Sequence, residues 1–151
     1  MNSRRGKEMV EKVLLIDDDE ITLLLCEFII EQNDFTRQVL KLTNGKQGLD
    51  LFANYAEDLE QGLAIKAPSL VFLDLNMPVM NGWDFLEGFS QDYQALFPET
   101  RVVVLSSSID PQDFLRARQY DFVADFLNKP LNDDSIQGLR INKKLQSVFQ
   151  G

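Results

Sequence analysis

Short runs of apolar residues alternate with longer amphipathic segments five times along the chain. The runs lie at residues 13–16, 37–42, 70–73, 102–105 and 123–127, and the second is the weakest. A short run that is apolar at successive positions is typical of a strand buried on both faces of a parallel sheet. Apolar residues spaced three and four positions apart between the runs predict amphipathic helices. The pattern therefore predicts strands and helices in alternation, which is an α/β fold.

The first predicted helix follows the run at residues 13–16 and has a well-defined apolar side. Helical spacing places five apolar residues together on it: Ile21, Leu24, Leu25, Phe28 and Ile29. Glu20, Glu27 and Glu31 fall on the other side. We expect the apolar side to pack against the sheet and the glutamates to face water.

The predicted elements leave no room for a second domain. Five strands and five helices fill the chain, as a doubly wound parallel sheet with helices serving as right-handed crossovers on both faces. We expect the last helix to begin near Asn132 and to run through Val148. Residues 1–10 are predicted to be a flexible tail and residues 11–151 a single domain.

Charge and composition narrow the functional classes. The 151 residues include 15 Lys and Arg against 24 Asp and Glu, a formal charge of −9, which disfavours nucleic acid as a partner. The absence of histidine excludes a Ser–His–Asp or Cys–His nucleophile, histidine-ligated zinc and a role as phosphohistidine donor. The single cysteine, Cys26, favours a reducing compartment. No apolar stretch is long enough for a membrane span or signal peptide, so we expect a cytoplasmic protein without a membrane partner.

Polar side chains with reactive chemistry follow four of the five predicted strands. Asp17 and Asp18 follow the first strand, Asp74 ends the third, Ser106 ends the fourth, and Lys129 comes just after the fifth. The carboxyl ends of parallel strands meet at one edge of the sheet, where ligands bind in such folds. We therefore expect these side chains to lie close together.

Carboxylates that lie close together repel one another, and their pKa values are raised and coupled unless a cation neutralises them. An acidic pocket without histidine or cysteine suits a hard ion, so Mg²⁺ is the natural cofactor. A lysine and a hydroxyl beside it suit an anion. Together these groups are typical of a phosphoryl-transfer site with an aspartate as acceptor.

Each of these residues also has a plainer interpretation when it is taken alone. An acidic pair before a helix is usually a helix cap, and a single aspartate at a strand end is usually a turn former. A lone serine commonly bonds to nearby backbone, and a lone lysine is commonly solvated. The functional interpretation depends on all four strand ends together.

Four segments, in this order and spacing, resemble the receiver domain of two-component response regulators, here of single-domain type. They are residues 15–19 (Leu-Ile-Asp-Asp-Asp), 73–78 (Leu-Asp-Leu-Asn-Met-Pro) with Gly82 beyond them, 104–106 (Val-Leu-Ser) and 126–130 (Phe-Leu-Asn-Lys-Pro). The resemblance implies the flavodoxin-like strand order 2-1-3-4-5, counting the five strands along the chain.

The resemblance also implies a chemical role for each residue of the acidic edge. Asp74 would accept a phosphoryl group from a histidine on a partner kinase or a histidine phosphotransfer protein. Asp18, Asp74 and the backbone carbonyl of Asn76 would hold Mg²⁺, and Asp17 would act through bound water. Lys129 would pair with the phosphoryl group. Such a chain catalyses only its own phosphorylation and dephosphorylation and is not otherwise an enzyme.

Further implied roles concern the switch that follows phosphorylation. Ser106 would turn its hydroxyl to the phosphoryl group, Phe126 would fill the space it leaves, and Asn76 and Ser108 would tune the phosphoryl lifetime. The Lys129-Pro130 bond would be cis. The face formed by the fourth helix, the fifth strand and the fifth helix would then contact a downstream protein.

The sequence departs from the usual pattern at two switch positions and leaves two other functions open. Phe126 stands where the family often has tyrosine, and Ser106 stands where threonine is commoner. One alternative is a pseudo-receiver, a binding module that works without phosphorylation. The other is a Mg²⁺-dependent aspartyl-phosphate hydrolase, although such enzymes usually carry a second aspartate where this chain has Asn76.

Overall fold

A computed structural model describes residues 8–108 and 110–150 of the chain. Five parallel strands form one sheet in the order β3-β2-β4-β5-β6, and a two-stranded sheet joins β1 to β7. This arrangement confirms the predicted doubly wound fold and the order 2-1-3-4-5 of the five main strands. The strands are β1 (Met9–Val10), β2 (Val13–Ile16), β3 (Val39–Leu42), β4 (Leu70–Asp74), β5 (Arg101–Ser106), β6 (Val123–Asn128) and β7 (Phe149–Gln150).

Five α-helices connect and follow the parallel strands. They are α1 (Glu20–Gln32), α2 (Gly45–Glu60), α3 (Gly82–Asp92), α4 (Pro111–Ala117) and α5 (Asp133–Arg140). Each helix begins after a side chain that accepts a hydrogen bond from the first turn: Asp19, Asn44, Asn81, Asp110 and Asn132. These caps satisfy backbone N–H groups that have no partner within the helix, and they fix where each helix starts beside the carboxyl edge of the sheet.

The core lies in two layers, one on each face of the sheet, because successive side chains of a strand point to opposite faces. In β4, Leu70 and Phe72 join the layer that contains Leu23 and Ile30 of α1. Val71 and Leu73 join the other layer, where α2 and α3 contribute a group of packed phenylalanines: Phe52, Phe85 and Phe89. Burial on both faces accounts for the uninterrupted apolar runs in the sequence.

The prediction of which side of α1 faces the core is wrong. Leu23, Cys26 and Ile30 are the buried residues of this helix. Most of the residues predicted to face the core are instead exposed: Ile21, Leu24, Leu25 and Phe28. The helix is apolar on two opposite sides, so periodicity alone does not identify the side that the sheet covers.

The predicted N-terminal tail needs correction where it meets the domain. Met9 and Val10 pair with Gln150 and Phe149 in an antiparallel ladder, so the predicted tail is wrong at these two residues. Val10 also bridges to Thr36, which ties this ladder to the segment before β3. Residues 1–7 of the predicted tail lie outside the described residues.

The last helix is shorter than predicted. Helix α5 ends at Arg140, and a separate 3₁₀ helix spans Lys143–Val148. Asn142 separates them, because its side chain accepts a hydrogen bond from Lys144 N–H (2.8 Å) and caps the new helix. Within the described residues, no helix has both the length and the apolar character that a membrane crossing requires.

Candidate functional site

Three aspartates converge at the carboxyl edge of the sheet. Asp17 directly follows β2, Asp18 is next to it, and Asp74 ends β4, the neighbouring strand. One carboxylate oxygen from each lies within 4.8 Å of the others. Asp17 and Asp74 are buried, whereas Asp18 is exposed. The parallel topology thus brings together residues that are far apart in sequence.

Lys129 supplies the positive charge in this cluster. Its Nζ donates to Asp17 Oδ2 at 2.6 Å and lies 3.5 Å from Asp74 Oδ1. Burial alone would lower the pKa of Lys129, but its hydrogen bond to Asp17 and the nearby charge of Asp74 raise it overall. The lysine is therefore a fixed cation that touches two of the three carboxylates.

Asp74 sits in surroundings that disfavour its ionised form. Burial is the largest cause of its raised pKa, and the charges of Asp17 and Asp18 act in the same direction. Lys129 and the backbone N–H of Asn76, which lies 3.4 Å from Asp74 Oδ1, oppose the rise only in part. One ammonium among three carboxylates leaves an excess of negative charge, which a further cation would relieve.

Asp19, rather than Asp17 or Asp18, is the residue that caps α1. Its side chain accepts from Ile21 N–H (3.0 Å) and Thr22 Oγ1 (2.9 Å), so it is the cap of α1. Its own backbone N–H donates to Asp17 Oδ1 at 2.9 Å and orients that carboxylate. Asp17 and Asp18 are therefore free of the capping role that their position in the sequence also suggested.

Gly82 sets how closely α3 approaches β4, the strand that ends in Asp74. A Cβ at this position would lie 2.5 Å from the backbone oxygen of Asp74 and 2.8 Å from Leu75 Cα. The Gly82 N–H donates to the Leu75 carbonyl at 3.0 Å. The sequence analysis used Gly82 only as part of a motif, since a contact between backbones leaves no trace in hydrophobic periodicity.

The Ser106 hydroxyl is satisfied within its own turn. Ser106 is buried at the end of β5, and its Oγ donates to the Ser108 carbonyl at 2.7 Å. The Ser108 N–H in turn lies 3.3 Å from the same Oγ. Contact with a group on Asp74 would require the hydroxyl to leave this turn.

Phe126 of β6 lies on the side of the sheet that α4 covers. Its ring is partly buried, and its centroid is 5.9 Å from that of Phe114 on α4. The following Lys129-Pro130 peptide bond is cis. The Lys129 N–H donates to the Ser106 carbonyl at 2.7 Å, which joins the ends of β5 and β6.

Comparison with known proteins decides the family. The response regulator receiver domain family matches residues 13–139, which is most of the chain. The protein belongs to this family. Receiver domains generally act as phosphoacceptors in two-component signalling and bind Mg²⁺ at an acidic site. The structure of this chain has an acidic cluster formed by Asp17, Asp18 and Asp74.

Individual relatives show the same domain in different settings. The chain is 28% identical over 125 residues to the probable methanogenesis regulatory protein FilR2 of Methanothrix harundinacea, covering 83% of this chain and 76% of that one. It is 32% identical over 125 residues to the transcriptional regulatory protein CpxR of Escherichia coli, covering 82% of this chain and 45% of CpxR. The chain therefore spans less than half the length of CpxR.

A solved receiver structure resembles this one closely. The two-component response regulator from Cytophaga hutchinsonii is 33% identical and superposes with a TM-score of 0.74, covering 91% of this chain and 98% of that one. The receiver domain of the Arabidopsis thaliana histidine kinase CKI1 has a TM-score of 0.73 at 21% identity, which is evidence for the fold alone.

Proposed function

We propose that Asp74 accepts a phosphoryl group from a histidine on a partner kinase or histidine phosphotransfer protein. The observation that carries the proposal is the position of the Asp74 carboxylate. It is buried at a strand end, 3.5 Å from Lys129 Nζ, with two further carboxylates close by. A fixed cation beside a carboxylate nucleophile is what phosphoryl transfer requires, since positioning and charge stabilisation supply most of its catalysis.

The transfer balances without any other reactant. A carboxylate oxygen of Asp74 forms a bond to phosphorus while the bond from phosphorus to the histidine nitrogen breaks. The electron pair of that bond leaves with the imidazole of the donor, which takes up a proton. Lys129 pairs with the transferred group and offsets its negative charge.

The donor set fits Mg²⁺, because three carboxylates without a nitrogen or sulfur ligand suit a hard cation. We propose that Asp18, Asp74 and the backbone carbonyl of Asn76 hold the ion and that Asp17 acts through bound water. Bound Mg²⁺ would supply positive charge at the phosphoryl oxygens. Without it, Lys129 is the one cation that contacts the acidic cluster among the residues that the structure describes.

Transmission of the signal would begin at Ser106. Its hydroxyl would leave the Ser108 carbonyl and donate to the phosphoryl group on Asp74. Phe126 would then move into the space that the hydroxyl leaves. The surface formed by α4, β6 and α5 would then change its affinity for a downstream protein. We further propose that Asn76 and Ser108, both exposed, tune the phosphoryl lifetime. We place this signalling in the cytoplasm, which a single reduced and buried Cys26 supports.

The test is intact mass after incubation with acetyl phosphate and Mg²⁺. We expect one phosphoryl adduct on the wild-type chain and none on Asp74→Asn, which keeps the size of the side chain and removes the nucleophile. Asp121→Asn, at an exposed position, is the matched control and should be modified like the wild type.

The same measurement distinguishes the alternative functions. A pseudo-receiver would form no adduct, and a hydrolase would consume acetyl phosphate steadily without accumulating one. An adduct that persists on Asp74→Asn would mean that another residue is the acceptor.

A further inference from the structure

A cavity of about 410 Å³ lies at the amino-terminal edge of the parallel sheet. Its lining includes Ser69 and Thr100, which directly precede β4 and β5, and Glu11, which lies between β1 and β2. Asp74 ends the strand that Ser69 precedes, so the length of β4, about 16 Å, separates the two residues. The cavity is therefore distinct from the acidic site at the carboxyl edge, and its volume suits a small organic ligand.

Contacts within the protein hold the walls of the cavity in place. Thr100 Oγ1 donates to the Pro68 carbonyl at 2.9 Å, in a buried hydrogen bond between the segments that lead into β5 and β4. The Phe97 ring packs against Phe52 and Tyr55 of α2, with centroids 5.3 and 6.4 Å away. A ligand would therefore meet a preformed cavity and would not have to order its walls.

Apolar side chains form much of the lining, and two of them are open to solvent. The apolar lining residues include Leu59, Ile65, Pro68, Leu96, Phe97 and Pro98. Leu59 near the end of α2 and Leu96 before β5 are 40% and 51% exposed. A ligand with an apolar body would cover these leucines, and the removal of their surface from water would favour binding.

Ser69 adds a buried hydroxyl to the lining. Its Oγ has no hydrogen-bond partner among the residues that the structure describes. The backbone of Ser69 is paired, since its N–H donates to the Lys12 carbonyl at 3.2 Å and its carbonyl accepts from Arg101 N–H at 3.0 Å. A buried hydroxyl without a partner costs free energy, and a ligand with a hydrogen-bonding group in its apolar part would recover that cost. The hydroxyl can change rotamer toward such a group without breaking a bond.

The charges around the cavity favour a cation over an anion. Glu11 lies 3.5 Å from Arg37 Nε and 3.4 Å from Lys66 Nζ, so its charge and that of Lys66 are balanced within the protein. Glu99 also lines the cavity, is exposed, and forms no ion pair within the described part of the chain. The formal charge of −9 on the whole chain acts in the same direction.

We propose that this cavity binds a small organic cation, with an aromatic or branched aliphatic body that carries an ammonium group. The body would pack against Phe97, Leu59 and Leu96, and the ammonium group would pair with Glu99. A hydrogen-bonding group on the body would pair with the Ser69 hydroxyl. The proposal adds a ligand site to the domain and does not depend on phosphorylation of Asp74.

The test compares three ligands that share an indole ring and differ in the end group of a two-carbon chain. Tryptamine carries an ammonium group, tryptophol a hydroxyl and indolepropionate a carboxylate. We expect tryptamine to bind with a Kd of about 1 mM or below, as is typical of a ligand of this size. It should bind about 3-fold more tightly than tryptophol and about 10-fold more tightly than indolepropionate, because only the ammonium group pairs with an exposed carboxylate.

Amide NMR spectra of the full chain give both the affinity and the position of the ligand. Tryptamine should shift the amide signals of residues 66–69 and 96–100, which line the cavity. Shifts confined to residues 17–19 and 74–76 would mean that the ammonium group binds the aspartate cluster, and this outcome would overturn the proposal. Absence of any shift, or equal affinity for tryptamine and indolepropionate, would overturn it as well.

Variants of the lining separate its apolar and charged parts. Leu59→Ser with Leu96→Ser should weaken tryptamine binding at least ~10-fold, since it removes the exposed apolar wall. Leu25→Ser, at a position on α1 that is 56% exposed, is the matched control and should bind like the wild type. Glu99→Gln should lose the preference for tryptamine over tryptophol and bind tryptophol unchanged. Unaltered selectivity in this variant would contradict the role of Glu99.

Ser69→Ala distinguishes a ligand contact from a structural role. It should weaken the binding of all three ligands by the same factor, about 5-fold, because each can donate its indole N–H to the hydroxyl. Its free energy of unfolding in urea should not fall, since the Ser69 hydroxyl has no hydrogen bond in the protein to lose. Wild-type affinity in Ser69→Ala, or a loss of stability, would contradict the role of this hydroxyl in binding.

Discussion

Lys129 and Arg140 lie at opposite edges of the parallel sheet, and each is a partly buried cation beside several oxygen atoms. Lys129 meets the carboxylates of Asp17 and Asp74 at the carboxyl edge. At the other edge, Arg140 donates to the backbone carbonyls of Glu8, Asn33 and Asp34 at 2.7–3.2 Å. Its guanidinium group also lies over the rings of Phe35 and Phe149, with centroids 5.5 and 5.9 Å away.

The two cations differ in the charge of their partners. Lys129 stands among three carboxylates, so its cluster retains negative charge that a further cation would relieve. The groups that accept hydrogen bonds from Arg140 are backbone carbonyls of segments far apart in the chain, and binding them holds those segments together. One edge is therefore organised for reaction and the other for stability, and four substitutions test this division.

Gly82→Ala should have the largest effect, because it disturbs the backbone of the reactive edge. The new methyl group would meet the Asp74 carbonyl at 2.5 Å, and neither backbone can yield without moving α3. We expect a loss of about 3 kcal/mol in the free energy of unfolding in urea, together with slower adduct formation from acetyl phosphate.

Gly138→Ala is the matched control, since a Cβ there has no atom within 4 Å. Gly138 lies inside α5, where alanine is the better helix former, so this variant should gain up to about 1 kcal/mol. If Gly82→Ala were as stable as the wild type, the close approach of α3 would not be what shapes the site.

The reactive edge was predictable from sequence because topology alone assembles it. Once parallel strands are inferred, Asp17, Asp74 and Lys129 must meet at their carboxyl ends. The stabilising edge was not predictable in this way. Strands β1 and β7 have two residues each, too few to show an alternating pattern, and their pairing joins the two ends of the domain.

The exposed side of α1 shows a second limit of sequence reasoning. Periodicity reports that a helix has an apolar side, but not whether the sheet or a partner covers it. On α1 the outer residues, such as Leu24 and Phe28, are at least as apolar as the inner Leu23 and Cys26. The inner side can be identified only from the structure, in which Ile30 and its neighbours pack in the core layer on one face of the sheet.

Arg140→Ala should have the second largest effect and should act on stability alone. It removes three charge-assisted hydrogen bonds and the contact with two rings, so we expect a loss of about 2 kcal/mol in urea unfolding. Adduct formation at Asp74 should remain at the wild-type rate. Arg118→Ala, at an exposed position, should change stability by less than about 0.5 kcal/mol.

Reduced phosphorylation of folded Arg140→Ala would contradict the division between the two edges. Arg140→Lys sharpens the test further. A lysine retains the positive charge but lacks the planar guanidinium group that donates to three carbonyls. It should therefore restore only part of the lost free energy of unfolding.

Asp74→Asn should raise stability in metal-free buffer at neutral pH, by about 1 kcal/mol. The pKa of Asp74 is raised in the folded protein, so its ionised form opposes folding at any pH above that value. The wild type should regain this stability as the pH falls through the raised pKa of Asp74. The stabilities of the wild type and of Asp74→Asn should therefore converge in acid. Thermal melts from pH 7 to pH 4 measure the gap, and a constant gap would contradict the assignment to this carboxylate.

The smallest effect concerns backbone strain in the loop that follows Asp74. Val79 has a φ of +67°, which is unfavourable for a β-branched residue, and a 2.7 Å hydrogen bond from Met80 N–H to the Pro78 carbonyl closes a γ-turn around it. Its side chain is 81% exposed, so Val79→Gly removes almost no packing. Relief of the strain should slightly exceed the entropy that glycine loses on folding, for a net gain of about 0.5 kcal/mol in urea unfolding. The same change at Val39, which has ordinary strand geometry in β3, should be destabilising, and a loss of stability at both positions would show that the reactive edge holds no strain at Val79.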